Sequence, residues 1–206
     1  MRHRMLSTLV LPILFGVVLL GSVPFADAQV TSLPLNRCLA GKIKSVGKSL
    51  AARTGCFSKE ASMGLDSTAC LQIASDKFAA VFPKLDTKYP NTSLKACLRF
   101  GDQGAFETAL TDYAASVPNT TGETAACAGA KIKCVGRYVA AVTGCDAKAA
   151  GKGGTIDTNC IGKAAGKLTN GATGCLDKAA SNTGCTNIVS SGTLQGAADQ
   201  FIQDAL

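Results

Sequence analysis

The chain has 206 residues, 21 basic and 14 acidic side chains, a formal charge of +7, ten cysteines, no tryptophan and one histidine. Cysteine at about one residue in twenty exceeds ordinary cytosolic usage and points to paired thiols in an oxidising compartment. The only histidine is His3, ahead of an apolar run, so any fold built downstream must do without imidazole.

Residues 1–28 have the three parts of a secretory signal. Arg2, His3 and Arg4 form a positive start, residues 9–20 form an apolar stretch interrupted by Pro12, and Ala26-Asp27-Ala28 is an A-x-A cleavage site. The stretch is too short for a comfortable membrane span. The expected mature protein starts at Gln29 and is secreted, periplasmic or extracellular, with no stable transmembrane segment after cleavage. Cys38 follows Leu35-Asn36-Arg37, which argues against a lipid-anchored N-terminal cysteine. Cleavage removes Arg2, Arg4 and Asp27, leaving 19 basic and 13 acidic residues, a net +6, on 178 residues. It also removes His3. The mature chain then has no Ser-His-Asp triad, no Cys-His nucleophile pair and no histidine metal ligand, so we expect neither an enzyme nor a cofactor.

Residues 38–56 match residues 127–145 at a constant offset of 89, with 11 identities in 19 positions. Beyond that, Leu65, Asp66, Ser67 and Cys70 answer Ile156, Asp157, Thr158 and Cys160, and Cys97 answers Cys185. The reading is a tandem duplication: repeat 1 over 29–117, a linker over 118–124 and repeat 2 over 125–206. In each copy apolar residues step by three and four, Ile43, Val46 and Leu50 in the first and Ile132, Val135 and Val139 in the second. Thr54-Gly55 is expected to end the first helix, with a short second helix over 56–63. Asp66 or Ser67 caps a third helix carrying Leu71, Ala74, Phe78, Val81, Phe82 and Leu85, which Pro83 is expected to close. Residues 169–174 break the corresponding helix of the second copy. Fourth helices are expected over 102–117 and 192–205. Strand signals are absent. The fold class is therefore all-α, a duplicated small disulfide-stapled helical bundle of three to four helices per copy.

Cys38, Cys56, Cys70 and Cys97 have counterparts in Cys127, Cys145, Cys160 and Cys185, and the second copy adds Cys134 and Cys175. Two positions that became cysteine together are most simply partners. If the first and third helices run antiparallel, the order Cys127, Cys134, Cys145 meets Cys185, Cys175, Cys160, and the summed numbers of these pairs drift only from 312 to 305. Sequence alone permits other connectivities. The ladder proposes Cys127 with Cys185, Cys134 with Cys175 and Cys145 with Cys160, and in the first copy Cys38 with Cys97 and Cys56 with Cys70. The chain lacks C-x-x-C, which argues against redox or all-cysteine metal chemistry.

A smaller echo recurs at a spacing of 15: Cys145-Asp-Ala-Lys148-Ala149, Cys160-Ile-Gly-Lys163-Ala164 and Cys175-Leu-Asp-Lys178-Ala179. With the recurring Thr-Gly-Cys, this resembles uncharacterised secreted bacterial proteins built from Cys-x-x-Lys-Ala helical repeats, over nearly all of the mature chain. The resemblance implies a secreted, cystine-linked helical fold and carries no known activity. The first copy departs from it, with Glu60 after Lys59 and Ile73 where lysine would stand, so the motif lysines are not expected to form an obligatory site.

Lysine is the main candidate for function. Lys42, Lys44 and Lys48, repeated as Lys131, Lys133 and Arg137, lie off the apolar stripe and form a possible basic face for an anionic envelope polymer, a lipid or a protein partner. A solvated helix face is the plainer alternative. Few aromatics lie nearby, which argues against nucleic acid. Asp66 and Asp157 are the matching acidic positions, and each precedes a helix where capping suffices. Residues 151–155, Gly-Lys-Gly-Gly-Thr, lack the phosphate-loop order and read as a turn. Asn91 and Asn119 begin glycosylation sequons that matter only in a eukaryotic secretory host.

Overall fold

The computed structural model describes residues 32–33, 35–89, 97, 103–121, 125–169, 173–183, 185 and 195–200. The expected signal over 1–28 and its cleavage site, residues 122–124 of the expected linker, and Asn91 lie outside them. The elements are β1 (Ser32–Leu33), α1 (Arg37–Met63), α2 (Thr68–Ala79), α3 (Phe82–Lys88), α4 (Gln103–Thr121), α5 (Ala125–Lys152), β2 (Gly154–Thr155), α6 (Thr158–Thr169) and α7 (Cys175–Thr183). Residues 195–200 are also helical, within the fourth helix expected over 192–205.

The expected stop at Thr54-Gly55 is corrected: α1 runs unbroken for 27 residues, and there is no separate helix over 56–63. The Thr54 hydroxyl donates to the Leu50 carbonyl one turn back at 2.8 Å, so threonine is satisfied inside the helix rather than capping its end. Thr143 does the same to Val139 at 2.8 Å in the 28-residue α5. The left-handed residue that stops α1 is Gly64, at φ +67°, with its N–H bonded to the Glu60 carbonyl at 2.8 Å. At the other end the Asn36 side chain accepts the Leu39 N–H at 2.9 Å.

Pro83 opens a helix instead of closing one. The expected single helix is divided into α2 and α3, with Pro83 in the first turn of α3, where its missing N–H costs no internal hydrogen bond. The stripe continues across the junction, with Ala74, Phe78 and Phe82 buried. Asp66 caps α2, its Oδ1 accepting Thr68 N–H at 2.9 Å and the Thr68 hydroxyl at 2.7 Å. Asp157 caps α6 through the N–H groups of Asn159 and Cys160. The backbone of α4 stays helical through residue 121, past Pro118 and Asn119 and into the stretch expected as the linker. The absence of strands is corrected in one place. β1 and β2 pair antiparallel, Ser32 opposite Thr155 and Leu33 opposite Gly154, and Asn36 N–H donates to the Ala150 carbonyl at 2.8 Å. This short ladder ties the entry of α1 to the exit of α5.

α1 and α5 pack against each other antiparallel along their length. A Cβ on Gly47 would stand 1.9 Å from Thr143 Oγ1, and one on Gly136 would stand 1.8 Å from Thr54 Oγ1. Farther out, Gly129 faces Ser62 and Gly151 faces Ala40. Each contact recurs with both partners moved by 89 residues, which is a local twofold relation whose axis is perpendicular to the plane of the pair.

The described segments share one main core. Val46, Leu50, Phe78, Phe82, Leu110 and Ala114 pack in the same cluster as Ile132, Val135, Val139, Val142, Leu168 and Leu176. Small residues at the α1–α5 crossing bring the two apolar faces close enough to merge. Five disulfides surround this core: Cys38–Cys97, Cys56–Cys70, Cys127–Cys185, Cys134–Cys175 and Cys145–Cys160. They are the pairs that the ladder argument reaches from residue order. Five bridges suit an oxidising extracellular compartment. Among the described residues, no helix is long and apolar enough to cross a membrane.

Candidate functional site

The six expected basic residues divide. Lys44, Lys48, Lys133 and Arg137 are exposed, whereas Lys42 and Lys131 are buried at 4% and 2% exposure. The correction follows from helix geometry: residues two apart point about 200° away from each other, so Lys42 does not share a face with Lys44, nor Lys131 with Lys133. Lys42 is instead covered by α3, paired with Asp86 at 3.1 Å and placed 5.2 Å from the centre of the Phe82 ring.

The exposed stripe is longer than those four residues. Arg37 and Lys59 on α1, and Lys148 and Lys152 on α5, are exposed too. At about 100° per residue, Arg37, Lys44, Lys48 and Lys59 fall within about 60° of arc, as do Lys133, Arg137 and Lys148, with Lys152 about 40° farther on. The twofold relation carries the outer arc of α1 onto that of α5 on the same side of the pair, away from the core. The result is one continuous basic face. Between the cations stand small side chains, Ala52 and Gly55 on α1 and Ala126, Ala141 and Gly144 on α5. The nearest exposed acid on α1, Glu60, falls outside the arc and accepts the Ser67 hydroxyl at 2.6 Å. Extending the i, i+4, i+7 series beyond the 19-residue match would have found the four additional cations.

Buried polar groups serve the fold. Arg53, 2% exposed, donates through Nη1 to Thr111 Oγ1 at 2.9 Å and through Nη2 to Ser75 Oγ at 2.8 Å, and pairs with Glu107. One guanidinium thereby ties α1 to α2 and α4. The Tyr138 hydroxyl donates to Asp199 Oδ1 at 2.5 Å, and burial together with that carboxylate pushes its pKa far up. Asp146 is 3% exposed with Oδ2 unpartnered, and burial raises its carboxyl to about 6. Asp66, fully exposed, is held below the usual carboxylate range, chiefly by the Thr68 N–H and then by its hydroxyl. The metal-capable side chains that gather among the described residues are Cys38, Asp86 and Cys97, but both sulfurs are spent in their mutual bridge and Asp86 is paired with Lys42. An open cleft of about 640 Å³ runs along the outer side of α6 past Gly162, Lys163, Gly166 and Lys167, away from the α1–α5 crossing.

Comparison of the chain with protein-family models, with curated proteins and with solved structures found no match.

Proposed function

We propose that the chain is a secreted or cell-envelope, non-catalytic scaffold, made of two copies of one cystine-linked helical unit, that binds a partner through the outer face of α1 and α5. The observation that carries this reading is the placement of the five bridges, which tie the two long helices to the segments around a shared core. Such bonding holds a surface rigid at little cost in hydrophobic core, which suits a protein rich in glycine and alanine. The copies are supported by the 89-residue offset in sequence and by the paired contacts Gly47 with Thr143 and Gly136 with Thr54. Non-catalytic action is supported by the lack of histidine in residues 29–206 and by the use of Arg53, Lys42 and Asp86 in structural ties. The resemblance to secreted Cys-x-x-Lys-Ala proteins points the same way.

The test is the protein recovered from outside the cytoplasm of a host that exports it. We expect N-terminal sequencing to begin at Gln29 and thiol titration in denaturant to find essentially no free cysteine. A chain retained inside with its leader intact, or two or more titratable thiols per chain, would overturn the reading.

A further inference from the structure

We propose that the basic face of α1 and α5 docks on the surface of an anionic lipid bilayer. This rests on the reading of the chain as an extracytoplasmic binding scaffold and names its partner. The face presents cations in two rows, Arg37, Lys44, Lys48 and Lys59 beside Lys133, Arg137, Lys148 and Lys152, all exposed. Measured along α1, they extend over about 22 residues, or roughly 33 Å at the helical rise. The two axes approach closely through Gly47 and Gly136, so the rows lie side by side on one surface. Two adjacent rows of cations separated by alanine and glycine match a plane of headgroups, because each lysine stem can reach its own phosphate.

A second feature separates a bilayer from a soluble polymer. Met63 continues the α1 stripe about 40° beyond Lys59, and it is 67% exposed. Leu65, just after the Gly64 cap, is 53% exposed. Apolar side chains at the end of a cationic face have nothing to gain from a hydrated polyanion. At a membrane they enter the boundary between headgroups and acyl chains.

Sedimentation of the oxidised protein with phosphatidylglycerol vesicles, against phosphatidylcholine vesicles as reference, tests the proposal. We expect preferential binding to the anionic vesicles at low ionic strength, lost at high salt as the charges are screened. Replacing Lys44, Lys48, Lys133 and Arg137 together by Gln removes about fivefold per cation and so at least a hundredfold overall. The charge-matched set Lys77→Gln, Lys84→Gln, Lys163→Gln and Lys167→Gln, all exposed on other surfaces, retains binding within about threefold. Met63→Ser with Leu65→Ser weakens binding with the basic face intact. Equal loss from the two lysine sets, no preference for anionic vesicles at low salt, or capture of soluble polyphosphate without vesicle binding would each overturn the bilayer proposal. In all three cases a thiol-free, exported protein keeps the scaffold reading, so the two fail separately.

Discussion

Gly47 lies so close to Thr143 that a methyl group at position 47 would stand 1.9 Å from the threonine hydroxyl oxygen and 3.0 Å from its Cβ. Rotating the hydroxyl away does not relieve the contact with Cβ, so the helices must separate. Gly47→Ala, and by the same geometry Gly136→Ala, should destabilise the protein by about 1–3 kcal/mol. Gly144→Ala should do the reverse. Position 144 is exposed mid-helix with nothing within 4 Å of an added Cβ, and alanine there should add about 0.5–1 kcal/mol. Denaturant unfolding of the oxidised variants measures both. Equal effects at positions 47 and 144 would contradict the close crossing.

Arg53 concentrates several interhelical ties in one side chain. Its truncation leaves Glu107, whose Oε2 already lacks a hydrogen-bond partner, without its cation, and strips Ser75 and Thr111 of a donor. Arg53→Ala should cost about 3–5 kcal/mol. Arg53→Lys should recover less than half of that, because an ammonium group cannot span partners on α2 and α4 as the guanidinium fork does. Full rescue by lysine in thermal unfolding would show that charge alone matters.

The bridge Cys134–Cys175 closes a loop with a sequence separation of 41 residues. Position 45, which aligns with Cys134 at the 89-residue offset, holds a serine whose hydroxyl donates to the Gly41 carbonyl at 2.9 Å. Cys134→Ser should therefore fit the same helical environment. The pair Cys134→Ser with Cys175→Ala should lose about 3–4 kcal/mol of stability, mainly through a freer unfolded chain. The other four bridges should form normally in peptide mapping. Scrambling of those bridges would show that Cys134 and Cys175 direct the pairing rather than add to it.

The cysteine pairs were legible in the sequence because antiparallel order leaves a numerical trace, and two unmatched cysteines appeared together. The continuity of α1 was not. Thr54-Gly55 has the composition of a stop, but the Thr54 hydroxyl bonds back to Leu50, and the bridge at Cys56 lies just beyond. A helical glycine costs only about 1 kcal/mol, which such tertiary ties outweigh. The basic face was half legible. Periodicity alone separates Lys44 and Lys48 from Lys42, but the burial of Lys42 depends on Phe82 and Asp86 of α3, 40 and 44 residues away. That α1 and α5 present their outer stripes on one side depends on the crossing at Gly47 and Gly136. No pattern within a single helix encodes that relation.

Asp146 gives the fold a pH dependence of definite sign. Its carboxyl is buried with Oδ2 unpartnered and titrates at about 6, against an ordinary value of 3.8, because burial penalises the charged form. The folded state therefore holds its proton more tightly than the unfolded state. The contribution from this site is fully present below about pH 4 and is lost as pH rises through 6. At neutral pH the penalty is on the order of 3 kcal/mol. Asp146→Asn has no proton to lose and should flatten this part of the profile between pH 4 and 7. Denaturant unfolding at a series of pH values, wild type against Asp146→Asn, provides the measurement. Parallel profiles for the two proteins would mean that the carboxyl reaches solvent or a partner and carries no burial penalty.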